Sequence, residues 1–470
     1  MPRCPTLVIA GTHSGSGKTS LALALTHALT RRGFAVQTFK VGPDFLDPTY
    51  LALASGRPCY NLDGWMAGRE HVCRLFERAA ADADVALVEG VMGLFDGADV
   101  ATDEGSTAEI ARWLDAPILL VVNVHGMARS LAALVRGFAI FEPDLRIRGV
   151  VANHCGSERH AEWLADTLQA AGLPPLVGAI PRGAFPRLAS RHLGLVTADE
   201  RLLPEAVLDS LANALEQHLS LETLFPGKTG DTIPIFKENW YGVPRFPGYG
   251  VPGFPARLRI GAARDAAFHF YYQDLFDTLA TAGCEMVFFS PLSDRRLPEG
   301  ISGLYLGGGY PEAHAEALAA NEEILAAIRE YAASGKPLYA ECGGLMYLSR
   351  GLLEAGGRFH PFLGILPART RMLDGKKALG YVEITLTADS LWGLCGDVFR
   401  GHEFHYSELI DDPVADPAWR TVYALRRRRS EAAEAEGFQK EAILASYTHL
   451  YYASLPAAID HFIAHCGGTP

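Results

Sequence analysis

Short apolar runs alternate with helical patterns twice along this chain, and a segment rich in proline and glycine separates the two series. In the first series the runs are Thr6–Ala10, Val36–Phe39, Val85–Glu89, Ile118–Val124, Gly149–Ala152 and Leu176–Ile180. Continuous apolar runs of this length suit strands covered on both faces, so they predict a mostly parallel sheet flanked by helices. From about 222 to 256 the chain turns to Phe-Pro-Gly-Lys and then to a run of Tyr-Gly-Val-Pro and Phe-Pro-Gly repeats. Such composition resists regular structure and reads as an interdomain linker. The second series has a strand at Leu258–Ala263, a helix near 268–282, strands at Met286–Phe289 and Gly303–Leu306, a helix near 312–334 and a strand running into Cys342. The expectation is a two-domain α/β protein, with domains over 1–221 and 257–466 joined by 222–256.

A length of 470 residues is too great for one ordinary core, in keeping with that division. The formal net charge of −12 argues against nucleic acid as the main ligand and leaves small anions as candidates for local basic loops. Eight cysteines without a CxxC pair fit reduced thiols in a cytoplasmic protein better than disulfides or a structural zinc site. The opening residues read as a first strand rather than a signal peptide, and no apolar run approaches a membrane span. The segment Arg426–Arg429 with Glu431, Glu434 and Glu436 reads as a solvated turn or hairpin without a function.

Between the first strand and the first helix stands Gly11-Thr-His-Ser-Gly15-Ser16-Gly17-Lys18-Thr19-Ser20. Backbone N–H groups and a helix N-terminus placed this way wrap nucleotide phosphates. Gly15 to Ser20 would hold ATP, Lys18 reaching the β/γ-phosphates and Thr19 binding Mg²⁺. The usual first glycine is displaced, since Thr12 occupies its position and Gly11 precedes it; the loop is close to that of dethiobiotin synthetase-like enzymes. Two acidic segments follow the next strands of this series, Lys40-Val-Gly-Pro-Asp44-Phe-Leu-Asp47 and Glu89 to Asp96. The carboxyl ends of such strands are where open α/β sheets bind ligands. Thr19, Asp44 and Glu89 are therefore candidates for Mg²⁺, and Lys40, Asp44, Asp47 and Asp96 for positioning a substrate against the γ-phosphate.

The strand Pro337-Leu-Tyr-Ala-Glu runs into Cys342, two glycines and a helix. A tight strand-to-helix turn presents a nucleophile, and the helix N-terminus favours its thiolate. Gly308 and Gly309, in Leu306-Gly-Gly-Gly-Tyr310-Pro-Glu312, can supply an oxyanion hole together with the N–H of Gly343. His449, at the end of an apolar strand-like run, is the candidate base. His402 and His405 with Glu403 between them have a metal-like spacing but no third ligand, and are read as walls of the cleft or of the domain interface.

Taken in order, GTHSGSGKTS, FKVGPDFLDP, EGVMGLFDG, GGGYPE, YAECGGLMYL, GHEFHYS and SYTHL resemble the cobyrinic acid a,c-diamide synthase family over nearly the whole chain. The resemblance implies a P-loop amidoligase domain followed by a class I glutamine amidotransferase-like domain. ATP would phosphorylate the a and c acetates of a corrin ring, and ammonia released from glutamine would displace phosphate, a step of cobalamin biosynthesis. It also implies that Cys342 is the glutamine nucleophile, that His449 raises its nucleophilicity and that Asn153 contacts the nucleobase. Two positions depart from the pattern: Tyr451 stands where a second histidine is expected and Asn123 where an acid is. No acid suited to orient His449 is visible nearby. The partners implied are small molecules, with no nucleic acid and no membrane, and a homodimer is the assembly allowed for. Hydrogenobyrinic acid, nickel sirohydrochlorin and sirohaem are alternative rings, and a P-loop switch ATPase with a silenced glutaminase-like domain is the alternative of another class.

Overall fold

The computed structural model describes residues 4–186, 204–225, 258–375, 377–428, 430 and 432–467. The chain divides into two compact units, Met1–Pro244 and Arg245–Pro470.

The first unit is built on seven parallel strands in the spatial order Tyr60–Leu62, Val36–Val41, Val85–Glu89, Thr6–Gly11, Ile118–Asn123, Ile147–Cys155 and Leu176–Pro181. Thr6–Gly11 is central, and Leu7 to Gly11 are buried because helices cover both faces. On one face, Leu21, Leu25 and Leu29 of the helix Lys18–Arg31 share a core with Leu208, Leu211 and Leu215 of the helix Glu205–His218. Each leucine withdrawn from water contributes roughly 1.5–3 kcal/mol before the entropy of ordering is subtracted. Since every strand is parallel, Gly11, Val41, Glu89 and Asn123 all end at one edge, and the loops that carry the chemistry gather there.

The six expected strands are present, and Tyr60–Leu62 is a seventh that the pattern missed, being too short for any periodicity to register. Its Asn61 donates to the carbonyls of Gly42 and Asp44, so this edge strand fixes the loop bearing Asp44. The segment expected as a linker from 222 begins inside the short helix Leu221–Leu224, whose Leu224 packs in the first core with Phe225; its remainder, 226–256, lies outside the described residues.

In the second unit five parallel strands, Cys284–Phe289, Leu258–Ala263, Gly303–Leu306, Leu338–Glu341 and Ile443–Ser446, continue into five antiparallel ones: Ala433–Lys440, Arg420–Arg427, Ala378–Leu386, Val398–His405 and His449–Tyr451. Only Tyr447 and Thr448 separate Ile443–Ser446 from the edge strand His449–Tyr451, so the sheet curls and brings its last strand back toward Leu338–Glu341. Both expected helices are trimmed. The first is Gln273–Thr281, because His269 and Phe270 donate their N–H groups to Gly308 O instead of entering a helix. The second is broken at Asn321, whose amide donates to Pro291 O and Asp294 O.

The expected charged hairpin exists as Arg420–Arg427 and Ala433–Lys440, with Arg429 and Glu431 outside the described residues. Glu436 corrects the reading of a solvated run. Its carboxylate turns inward to accept from Ser446 Oγ at 2.5 Å and Tyr447 N at 2.8 Å, and loss of water pushes it up to about 7 despite both bonds.

Candidate active site

At the edge of the first sheet, Gly15 and Gly17 have φ of 80° and 103°, the left-handed backbone that only glycine adopts freely. They turn the loop so that the helix Lys18–Arg31 starts at Lys18, and Ser16 is fully buried between them. A Cβ on Gly11 would stand 2.2 Å from the buried Ser16 Oγ, so the glycine displaced to position 11 leaves room for that side chain. Lys18 Nζ reaches the carbonyls of His13 at 3.3 Å and Met92 at 2.5 Å. Burial and the neighbouring Lys40 lower it to about 8. Ser20 is half-buried in the first helical turn.

Thr19 Oγ1 donates to Glu89 Oε1 at 2.6 Å. Lys40 Nζ sits 2.8 Å from Asp47 and 3.1 Å from Glu89, and these side chains are at most 4% exposed. Burial and Asp47 push Glu89 up to about 7, while Lys40 pulls in the opposite direction. Lys40 resists the downward push of burial, because Asp47 and Glu89 hold its charge. Lys40 thus bridges the two carboxylates, Asp47 and Glu89, inside the unit. Half-buried Asp44 accepts from the N–H groups of Leu46 and Asp47, and exposed Asp96 accepts from Gly93 N. Asn153 lies under the loop: it donates to Ser16 O at 2.9 Å, and its Oδ1 accepts from His154 N. Asn123 Oδ1 accepts from His125 N, the local turn that an asparagine favours.

In the second unit Cys342 has φ of 49° and ψ of −104° between Leu338–Glu341 and the helix Gly343–Leu348. A side chain bearing a Cβ in that region costs about 1–3 kcal/mol, strain characteristic of functional turns. Its N–H donates to Ser446 O at 2.8 Å, which clamps the turn to the neighbouring strand, and its Sγ is 3.8 Å from Phe404 O. His449 lies beside it, and the two are 4% and 1% exposed. Burial alone would push the imidazolium of His449 down; the charge of Cys342, then that of Glu341, reverses this and raises it to about 10. A thiol on a strained turn beside a shielded imidazole can attack an acyl carbon and then protonate its leaving group.

Gly309 and Gly343 approach from two loops, a Cβ on Gly343 falling 3.0 Å from Gly309 N. Gly309, with φ of 156°, also passes so close to Ala267 O that a Cβ would stand 2.1 Å away. A Cβ on Gly308 would press His449 Cε1 at 2.5 Å. The glycine loop and the first N–H groups of Gly343–Leu348 therefore converge on the Cys342 turn.

His402 belongs to this site as a wall, its ring stacked on His449 at 4.9 Å and 19° and its Nδ1 3.0 Å from Tyr272 Oη. His405 stacks instead on Tyr447, and Glu403 pairs with Arg427. Among the described residues no three His, Cys, Asp or Glu side chains gather as a metal set. Tyr451 donates to Asp274 at 2.5 Å. Sequence reasoning missed Glu341, whose Oε2 is 3.4 Å from His449 Nδ1. The available signal was its place directly before the nucleophile at a strand end.

Residues 7–196 match a nucleotide-binding domain of the CobQ/CobB/MinD/ParA kind, and residues 259–456 match a CobB/CobQ-like glutamine amidotransferase domain. A cobyrinate a,c-diamide synthase of Syntrophotalea carbinolica is 53% identical over 99% of both chains. One of Leptospira interrogans is 43% identical, again over 99% of both. A hydrogenobyrinate a,c-diamide synthase of Stutzerimonas stutzeri is 42% identical over 97% of both.

Proposed function

The chain belongs to the cobyrinate a,c-diamide synthase family, and on that premise we propose that it converts the a and c acetates of a corrin ring to amides with ATP and glutamine. The observation that carries this reading is a full-length relationship to such synthases in a chain that keeps both a P-loop and a cysteine–histidine pair.

The chemistry requires both sites. A carboxylate does not react with ammonia at neutral pH until its oxygen becomes a leaving group, and phosphoryl transfer from ATP supplies that activation as an acyl phosphate and ADP. Ammonia then attacks the acyl carbon and phosphate leaves. In the second unit Cys342 Sγ attacks the amide carbon of glutamine, the oxyanion turning toward the N–H groups of Gly309 and Gly343. The carbon–nitrogen bond breaks as His449 gives a proton to the departing ammonia. Water then hydrolyses the thioester and glutamate leaves. Each amide so formed consumes one ATP and one glutamine. Ammonia produced by the same chain is used before water can protonate it and disperse it.

In the first unit, Gly15, Ser16, Gly17 and Ser20 receive the phosphates with Lys18, and Asn153 braces the loop from beneath, beside the nucleobase. Glu89 Oε2 is buried with no hydrogen-bond partner, next to the Thr19 hydroxyl. One carboxylate and one hydroxyl beside a phosphate loop fit Mg²⁺, which takes few protein oxygens and completes its shell with phosphate and water. Thr19 and Glu89 would hold it, with Asp44 at the same edge, and when bound it would offset the charge developing on the phosphates. Asp44 and Asp96, the less buried acids of that edge, face the ring, while Lys40 and Asp47 set the charge of Glu89.

The test is the mass gained by cobyrinic acid, by hydrogenobyrinic acid and by nickel sirohydrochlorin with ATP and glutamine. Two amidations of a corrin are expected. Glutamine hydrolysis without amidation of any corrin would overturn the substrate assignment.

A further inference from the structure

A cysteine–histidine pair works as base and then as acid only while the imidazole is held in one tautomer and one orientation, which a buried carboxylate does in hydrolase triads. We infer that Glu341, the residue directly before the nucleophile, is the positioning residue of His449. The inference rests on the glutaminase reading above.

Glu341 Oε2 stands 3.4 Å from His449 Nδ1. Three donors hold the carboxylate: Tyr305 Oη to Oε2 at 2.6 Å, Tyr339 Oη to Oε1 at 2.7 Å and Leu450 N to Oε1 at 3.3 Å. The last comes from the residue after His449, so the acid grips the backbone of the base as well as facing its ring. Glu341 also ends the strand that delivers Cys342. One element therefore carries nucleophile and acid, and with Nδ1 facing Glu341 at 3.4 Å, Nε2 is the nitrogen left for Cys342.

The position two residues beyond His449 offers no acid, since Tyr451 fills it and donates to Asp274, which also accepts from Tyr452. Among the described residues the titratable groups that face the ring are Cys342, Glu341 and His402, with Phe270 and Gly308 completing the wall. Burial and the charge of His449 hold His402 well below its usual range, so it stacks as a neutral ring. Among the described residues, Glu341 is the carboxylate whose charge acts on His449 and whose oxygen stands nearest its ring.

The test measures glutamine-dependent and ammonia-dependent amidation, and the pH profile of glutaminase kcat/KM, for the full-length wild type, Glu341→Gln, Glu341→Asp and Cys342→Ala. Expected for Glu341→Gln is a fall of kcat with glutamine on the order of 10²–10⁴-fold, with KM for glutamine within about twofold and ammonia-dependent amidation intact. Because the carboxylate raises the imidazolium, its loss also moves the alkaline limb of the profile to lower pH. Glu341→Asp recovers part of the rate. An unmoved alkaline limb with wild-type kcat, or an equal loss of ammonia-dependent amidation, would overturn the inference. Should Glu341→Gln fail to fold, Glu341→Asp decides, because its shorter reach gives the same shifts in smaller measure or leaves the wild-type profile and overturns the inference. Absence of glutaminase activity in the wild type would overturn the glutaminase reading itself and this inference with it; activity in the wild type but not in Cys342→Ala isolates the outcome to Glu341.

Discussion

Thr19 and Glu89 are joined by a 2.6 Å hydrogen bond that ties the first turn of the P-loop helix to the end of the neighbouring strand. The bond orients a carboxylate whose other oxygen is buried without a partner. Glu89→Gln keeps the shape and removes the charge. It is expected to raise the Mg²⁺ needed for half-maximal ATP hydrolysis by on the order of 10–100-fold and to leave glutamine hydrolysis in the second unit unchanged. Titration of both activities against Mg²⁺ checks this, and an equal effect on both would contradict it.

Lys18 is lowered to about 8 by burial and by Lys40. Phosphates restore its proton. Binding of ATP near pH 8 is thus expected to take up about half a proton, and affinity falls as pH rises further because the free loop must first protonate. Calorimetry in buffers of different ionisation enthalpy reads the uptake directly. No buffer dependence near pH 8 would contradict it.

Lys40 is the cation between Asp47 and Glu89, and all three are buried. Lys40→Met leaves two carboxylates without it and is expected to destabilise the first unit by about 3–5 kcal/mol. Adding Asp47→Asn to that variant recovers part of the loss, since one uncompensated charge is then removed. Chemical denaturation of the single and double variants makes the comparison.

A Cβ at Gly308 would stand 2.5 Å from His449 Cε1 and 3.2 Å from Phe270 Cβ. Gly308→Ala must displace the imidazole, and a shift of that kind is expected to lower glutamine-dependent kcat on the order of 10²-fold. Amidation from added ammonia stays at the wild-type rate. If both rates fall together, the glycine serves the fold rather than the base.

What was legible in the sequence follows from how each part is built. The first sheet could be read because strands covered on both faces are written as unbroken apolar runs such as Val85–Glu89, whereas Tyr60–Leu62 is too short to leave a pattern. Cys342, His449, Lys18 and Thr19 are framed by glycines or sit at strand ends, where local sequence declares a turn. Glu341 escaped notice because its partner is 108 positions away and meets it only through the curl of the sheet. Glu436 looked like part of a charged loop for the converse reason, since Ser446 and Tyr447, which draw its carboxylate inward, come from another strand and its end. Lys40 and Asp47 read from the sequence as substrate-facing residues, and their ion pair, which joins the end of a strand to the helix after it with Glu89 on the neighbouring strand, shows only once the chain is folded.

The central claim is that one chain makes ammonia at Cys342 and uses it on an ATP-activated ring carboxylate. It is tested most directly with glutamine carrying heavy nitrogen in its amide, supplied with ATP and cobyrinic acid to the wild type and to Cys342→Ala. The account predicts two heavy amides per ring from the wild type, none from the variant with glutamine, and two amides from the variant once ammonium is added. Heavy nitrogen reaching the ring in Cys342→Ala, or a wild type that hydrolyses glutamine without labelling the ring, would contradict it.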